Sequence, residues 1–212
     1  MTKKFNWRNV VKMTVTCLAV FVTFSACEKD NEGKGSKEIT WATSNVAAPG
    51  QFAASPENAG MLYQWGSNVG WSKTNPLTAS DGNNTWRDLH ETGKTWTTDK
   101  NPCPTGWRLP TKAEMQSLVN AGHTYTNNYN GTGIAGRVFG TGDNAIFLPA
   151  GQARGANSQL DVWNYEYAYY WTSTPHESDN AKAWELYFNF DNSYVFTEAQ
   201  VRTAAFFIRC VK

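Results

Sequence analysis

NPCPTGWRLPTKAEMQSL, residues 101 to 118, decides how this chain is read, because within that span an extended segment turns into a helix. Gly106 permits a turn, Trp107 and Leu109 supply apolar anchors, and Pro110 delivers the chain to Thr111. The Thr111 hydroxyl is placed to cap the amide of Glu114, whose carboxylate can reach back to the amide of Thr111. Met115, Leu118 and Val119 then recur at helical spacing, which predicts a helix from Lys112 to about Ala121 with Gly122 as its stop. A short turn of helix around Trp86 to His90 has a fainter pattern.

Outward from this junction the pattern is that of strands. Trp184, Leu186, Phe188 and Phe190 alternate with Ala183, Glu185, Tyr187 and Asn189, as in a half-buried strand. Asp191, Asn192 and Ser193 supply turn residues, and Tyr194, Val195 and Phe196 resume the extended pattern, so a hairpin is expected. In the last segment Ala204, Phe206, Ile208 and Cys210 share one face while Ala205, Phe207, Arg209 and Val211 share the other. Further strands are expected at Ile39 to Val46, Met61 to Trp65, Ala145 to Leu148 and Tyr167 to Thr172. Nine of the ten tryptophans follow residue 27, dispersed among glycine, asparagine and threonine, a composition of short strands and many loops.

The first residues have a different character. Lys3, Lys4, Arg8 and Lys12 form a basic stretch, and MTVTCLAVFVTF (13 to 24) is apolar but short of the roughly 20 residues a membrane-spanning helix needs. Phe24, Ser25, Ala26 and Cys27 resemble a bacterial lipobox. Residues 1–26 are therefore expected to be a lipoprotein signal peptide, with cleavage before Cys27 and lipidation of that cysteine; an ordinary secretory signal is the alternative. EKDNEGKGSKE behind Cys27 is too polar to bury a core, so residues 27–38 read as a tether and 39–212 as one domain. The acidic residues after Cys27 resemble the export signal of Bacteroides-type lipoproteins, which implies a lipid-anchored, surface-exposed place on the outer membrane. Without the leader, fifteen basic residues face eighteen acidic ones, a net charge near −3 that removes the electrostatic case for nucleic-acid binding.

Cys103 and Cys210 are the unmodified cysteines left in such a mature chain. An oxidising compartment favours a bridge between them, and closing so long a loop removes unfolded-chain entropy worth ~4 to 5 kcal/mol in the simplest treatment. Two separate buried thiols are the alternative reading.

The 101–118 stretch resembles the signature of the Fibrobacter succinogenes major paralogous domain family. Other blocks agree in order: ITWATSNVAAPGQFAASPENAGMLYQWG upstream, then FLPAGQARG, YYWTST and FFIRCVK downstream. The resemblance implies an α+β, C-type-lectin-like fold of short, mostly antiparallel strands with one or two helices and long loops. It also implies a cysteine beside the first helix bridged to the last strand, matching Cys103 and Cys210. The family fixes no ligand, and fold alone does not settle function.

The residues offer little catalytic chemistry. His90, His123 and His176 are dispersed among polar neighbours and read as surface residues. No HExxH, paired CxxC or EF-hand spacing occurs, and the Glu-Pro-Asn, Gln-Pro-Asp and Trp-Asn-Asp triplets of calcium-dependent lectins are missing, so no metal and no cofactor is expected. GTGIAGRVFGTGDN lacks the lysine of a phosphate loop and reads as a flexible surface loop. A formylglycine-generating enzyme needs two reactive cysteines, and both are assigned to the bridge. Aromatic rings are the remaining binding chemistry. In the implied fold the ligand face comprises residues 152–167, 174–181 and 189–202, where Trp163, Tyr165, Asn192 and Tyr194 are the candidate ligand-binding residues. The expectation is a non-enzymatic, surface-displayed adhesin or receptor-like module for a glycan or protein. The alternative is a structural or tip subunit of a fimbrial or other surface assembly.

Overall fold

The structure, a computed structural model, describes residues 39–87, 95–160, 167–190 and 195–212. They lie within one compact unit, Glu38–Lys212, and everything below concerns that unit. The strands are β1 (Val46–Ala48), β2 (Gln51–Phe52), β3 (Leu62–Gln64), β4 (Gly70–Trp71), β5 (His123–Thr126), β6 (Gly136–Phe139), β7 (Ile146–Pro149), β8 (Ala168–Pro175), β9 (Lys182–Phe188), β10 (Val195–Val201) and β11 (Ala205–Phe206). The helix α1 spans Lys112–Asn120. The sheets are antiparallel: β1-β2, β11-β3-β4, β5-β6-β7 and β10-β9-β8.

The α+β, C-type-lectin-like arrangement is corrected by this architecture. Among the described residues strand outweighs helix, 33% against 12%, and the strands form four separate small sheets around one α-helix. Trp86 and Arg87 are not helical, and residues 88–94 lie outside the described residues. What forms is a small, mostly-β domain. The physical reason is punctuation: asparagine, serine, threonine and glycine recur between short apolar runs and stop each ladder after a few residues. Lys112–Asn120 combines a cap with helical apolar spacing. There the Glu114 amide donates to Thr111 Oγ1 at 3.2 Å and the Thr111 amide donates to Glu114 Oε2 at 2.7 Å, while Gly122 leaves the helix at φ +85°.

Residues 204–212 stitch the sheets together. β11 pairs with β3, Ala205 bridges Arg154, Phe207 bridges Tyr170, and Val211 bridges both Trp41 and Arg108. The expected alternation is realised with both faces buried: Ala204, Phe206, Ile208 and Cys210 enter one hydrophobic cluster, while Ala205 and Phe207 enter the other. Cys103 and Cys210 are disulfide-bonded, with Cα atoms 6.1 Å apart. Beside them the Arg108 amide donates to Val211 O at 2.9 Å, and the Val211 amide to Arg108 O at 2.8 Å.

Two local readings change. GTGIAGRVFG is not a loop throughout, since Gly136–Phe139 is the middle strand of β5-β6-β7. Gly136 is glycine for want of room: a Cβ there would sit 2.3 Å from Leu148 O. β9 is also buried on both faces instead of one. Leu186 and Phe188 join Met115 and Leu118 of α1 in one cluster, and Ala183 joins Trp171 and Phe206 in the other. Glu185, expected on the wet side, is 0% exposed, whereas Phe190 is 47% exposed.

Candidate functional site

A groove of about 580 Å³ opens where residues 39–43, the later part of α1 and the β6–β7 connection meet, a volume in the range of small-molecule sites. Its N-terminal wall is pinned to the end of the chain. The Thr40 amide donates to Lys212 O at 3.1 Å, the Lys212 amide donates to Thr40 O at 3.0 Å, and the Ala42 amide donates to Cys210 O at 2.9 Å. On the other side the Gly140 amide donates to Gly122 O at 2.8 Å, holding the β6–β7 connection to the helix end.

The floor is apolar. Leu118 and Phe139 are buried, and half-buried Trp41 and Ile146 pack against the same cluster. The rim is polar, with Thr40, Thr43, Thr141, Asp143 and Asn144 exposed to solvent. Glu114 also lines the groove, but its carboxylate is engaged. Arg108 Nη1 donates to Oε2 at 2.8 Å and Arg108 Nη2 to Oε1 at 2.6 Å. That pairing first, with the Thr111 amide, holds the Glu114 carboxyl below its usual range against the opposing effect of partial burial. No lysine, arginine or histidine lines the groove among the described residues.

A second aromatic site, on the 174–181 side, is closed. Lys112 Nζ sits 2.9 Å from the Trp184 ring centroid, His176 stacks on that ring at 5.4 Å, and Trp184 Nε1 donates to Glu177 at 3.2 Å. His176 Nδ1 also accepts from the Asp179 amide at 3.1 Å, so this imidazole shapes its own turn. His123 is half-buried rather than a free surface residue. Its Nδ1 lies 3.0 Å from Arg137 Nη1, and burial first, then the guanidinium, lowers its pKa. Among the described residues no three His, Cys, Asp or Glu side chains gather as a metal site.

The candidate ligand residues Trp163, Tyr165, Asn192 and Tyr194 lie outside the described residues, as do Cys27 and His90. The residues bounding them are described: Tyr167 stacks with Tyr187 at 6.0 Å, and β9 and β10 lead into and out of 191–194. Sequence reasoning missed the groove, because its walls come from three separate segments, residues 39–43, 114–121 and 139–146. It also missed four buried arginines, Arg137, Arg154, Arg202 and Arg209. Their signal was an arginine within otherwise apolar or glycine-rich blocks, as in FFIRCVK and GQARG. Arg154 shows what such a residue does: its guanidinium donates to Ser72 O at 2.8 Å, Ser158 O at 2.6 Å and Thr74 O at 2.6 Å, holding two loops together.

The described residues form a small, disulfide-bridged, mostly-β domain with a groove at its surface. Residues 58–212 match the model of the Lcl C-terminal domain, and the chain belongs to that family. No curated protein and no solved structure matches it. The match begins after residue 57, so the N-terminal wall of the groove is built by chain that precedes the family's part.

Proposed function

We propose that this chain is a surface-displayed lipoprotein of the Bacteroides type, anchored in the outer membrane through Cys27. Its domain acts as an adhesin- or receptor-like module for a glycan or protein ligand. Membership of the Lcl C-terminal domain family supports a surface or binding-type module, and the blocks shared with the Fibrobacter succinogenes major paralogous domains point the same way. The observation that carries the reading is the groove. An apolar floor with half-buried Trp41 lies beneath exposed hydroxyl, amide and carboxylate groups, and no basic side chain among the described residues lines it. That chemistry suits an uncharged, polyhydroxylated ligand, which stacks on an aromatic ring and exchanges hydrogen bonds at the rim. The module is read as non-enzymatic, without cofactor, and both cysteines that a formylglycine-type reaction would need are joined in the disulfide.

A second reading has one observation in its favour. β10 is an edge strand in a regular ladder of seven residue pairs with β9, a geometry that can accept a further strand from a neighbour in a surface assembly. Adhesion of intact cells separates the two. Cells displaying the wild-type protein should adhere to a glycan-coated surface, while Cys27→Ser and Asp143→Ala/Asn144→Ala cells should not. Equal adhesion by the rim variant, together with stoichiometric cross-linking of a protein neighbour through β10, would instead establish the assembly reading.

A further inference from the structure

Glu185 lies in the middle strand of β10-β9-β8, between Trp171 of β8 and Glu198 of β10, which are its direct cross-strand partners. It is 0% exposed, and neither carboxylate oxygen has a hydrogen-bond partner among the described residues. A charged carboxylate stripped of water and partners is among the costliest states a protein interior can hold, and a protonated carboxyl is far cheaper. Directly opposite side chains in an antiparallel pair have Cβ atoms only about 5 Å apart, so a second negative charge at Glu198 adds repulsion.

Among the described residues no neighbouring element relieves this. On β9 the next residue on the same face is Tyr187, whose hydroxyl is disfavoured from ionising by burial first, then by Tyr167, with Glu185 and Glu198 adding to it. From β8 the face is completed by Tyr169, stacked on Phe206 of the last segment, and by Trp171, whose indole donates to Tyr63 O. Arg202, in the turn after β10, lies over the Trp65 ring at 4.1 Å and donates from Nε to Lys182 O. Burial, with Glu198 second, raises the Glu185 pKa well above that of a free carboxyl.

We propose that Glu185 and Glu198 form a proton-linked latch, in which one proton held on Glu185 keeps β10 paired to β9 and its loss loosens the hairpin. The latch couples the pairing of β9 and β10 to the acidity of the medium. Because the folded form binds the proton more tightly than the unfolded form, the pairing is firmest in acid and weakens as the pH rises through the elevated pKa.

Amide hydrogen exchange of the full-length protein across a pH series, corrected for intrinsic exchange, reads this directly. Protection of Val195–Val201 should fall with rising pH by up to about tenfold per unit, the limit for one proton, while the β3 and β4 amides stay constant. Glu185→Gln, which resembles the protonated form, should flatten the β10 profile, and the infrared band of a protonated carboxyl seen at neutral pH in the wild type should vanish in it. Should that variant fail to fold, Glu198→Gln at an exposed position should move the midpoint to lower pH. A β10 profile independent of pH in the wild type, an ionised Glu185 at neutral pH with β10 fully protected, or an unmoved midpoint in Glu198→Gln would overturn the latch.

Discussion

Arg209 and Glu185 are both fully buried and both chargeable, yet the fold treats them in opposite ways. Arg209 donates to Asn45 Oδ1 at 2.8 Å, Ala42 O at 2.9 Å, Thr43 O at 2.7 Å and Phe147 O at 2.9 Å. Asn45 continues the network to Tyr170 and Ala59, and Tyr170 closes it on Pro149 O at 2.8 Å. Burial lowers the Arg209 pKa to about 10, so it keeps its charge at neutral pH. Glu185 has none of this support among the described residues. A buried charge supplied with donors or acceptors fixes the segments it touches, and here it locks residues 204–212 to the first segment and to β7. A buried carboxyl without partners makes its strand sensitive to protons instead.

Breaking the supported region should have the largest effect. Arg209→Met leaves three carbonyls and Asn45 Oδ1 without their donor and should cost about 3 to 5 kcal/mol in denaturant unfolding. Replacing Cys103 and Cys210 together by serine should cost about 2 to 4 kcal/mol in the same measurement, mainly by freeing the unfolded chain. At the helix start, Thr111→Ala removes one half of the capping box and should cost about 1 kcal/mol. The Glu114 carboxyl is held low by Arg108, so its contribution is present above the unfolded carboxyl range and is lost as the pH falls through the depressed value. A Glu114→Gln variant should therefore lose part of the acid-side decline in thermal stability. Smallest of all, Asp143→Ala should change stability by less than about 0.5 kcal/mol, since the side chain is exposed, while removing binding in the groove.

The helix was legible because cap, periodicity and stop agree within a dozen residues, and so were β3, β7, β8 and the β9–β10 hairpin, whose apolar residues are local. Ile39 to Val46 was misread as one strand: Trp41 makes an isolated bridge and β1 begins only at Val46. The β6 strand was hidden by its glycines, because the need for Gly136 comes from Leu148 across the sheet, which no local window contains. Glu185 illustrates the same limit. Period-2 alternation assigns the polar side of a strand to water, but α1 covers one face of this sheet and the Trp171–Phe206 side covers the other. The α+β, C-type-lectin-like class rested on the resemblance of separated blocks, and such blocks locate short antiparallel strands without dictating how they group into sheets.

The binding claim is tested most directly by passing the full-length, detergent-extracted protein over a broad array of uncharged and charged glycans, beside Asp143→Ala/Asn144→Ala and Trp163→Ala. The groove reading predicts retention on uncharged glycans that the rim variant loses and the Trp163 variant keeps. Retention that survives the rim substitutions and disappears with Trp163 would contradict the groove and move the site to residues 152–167.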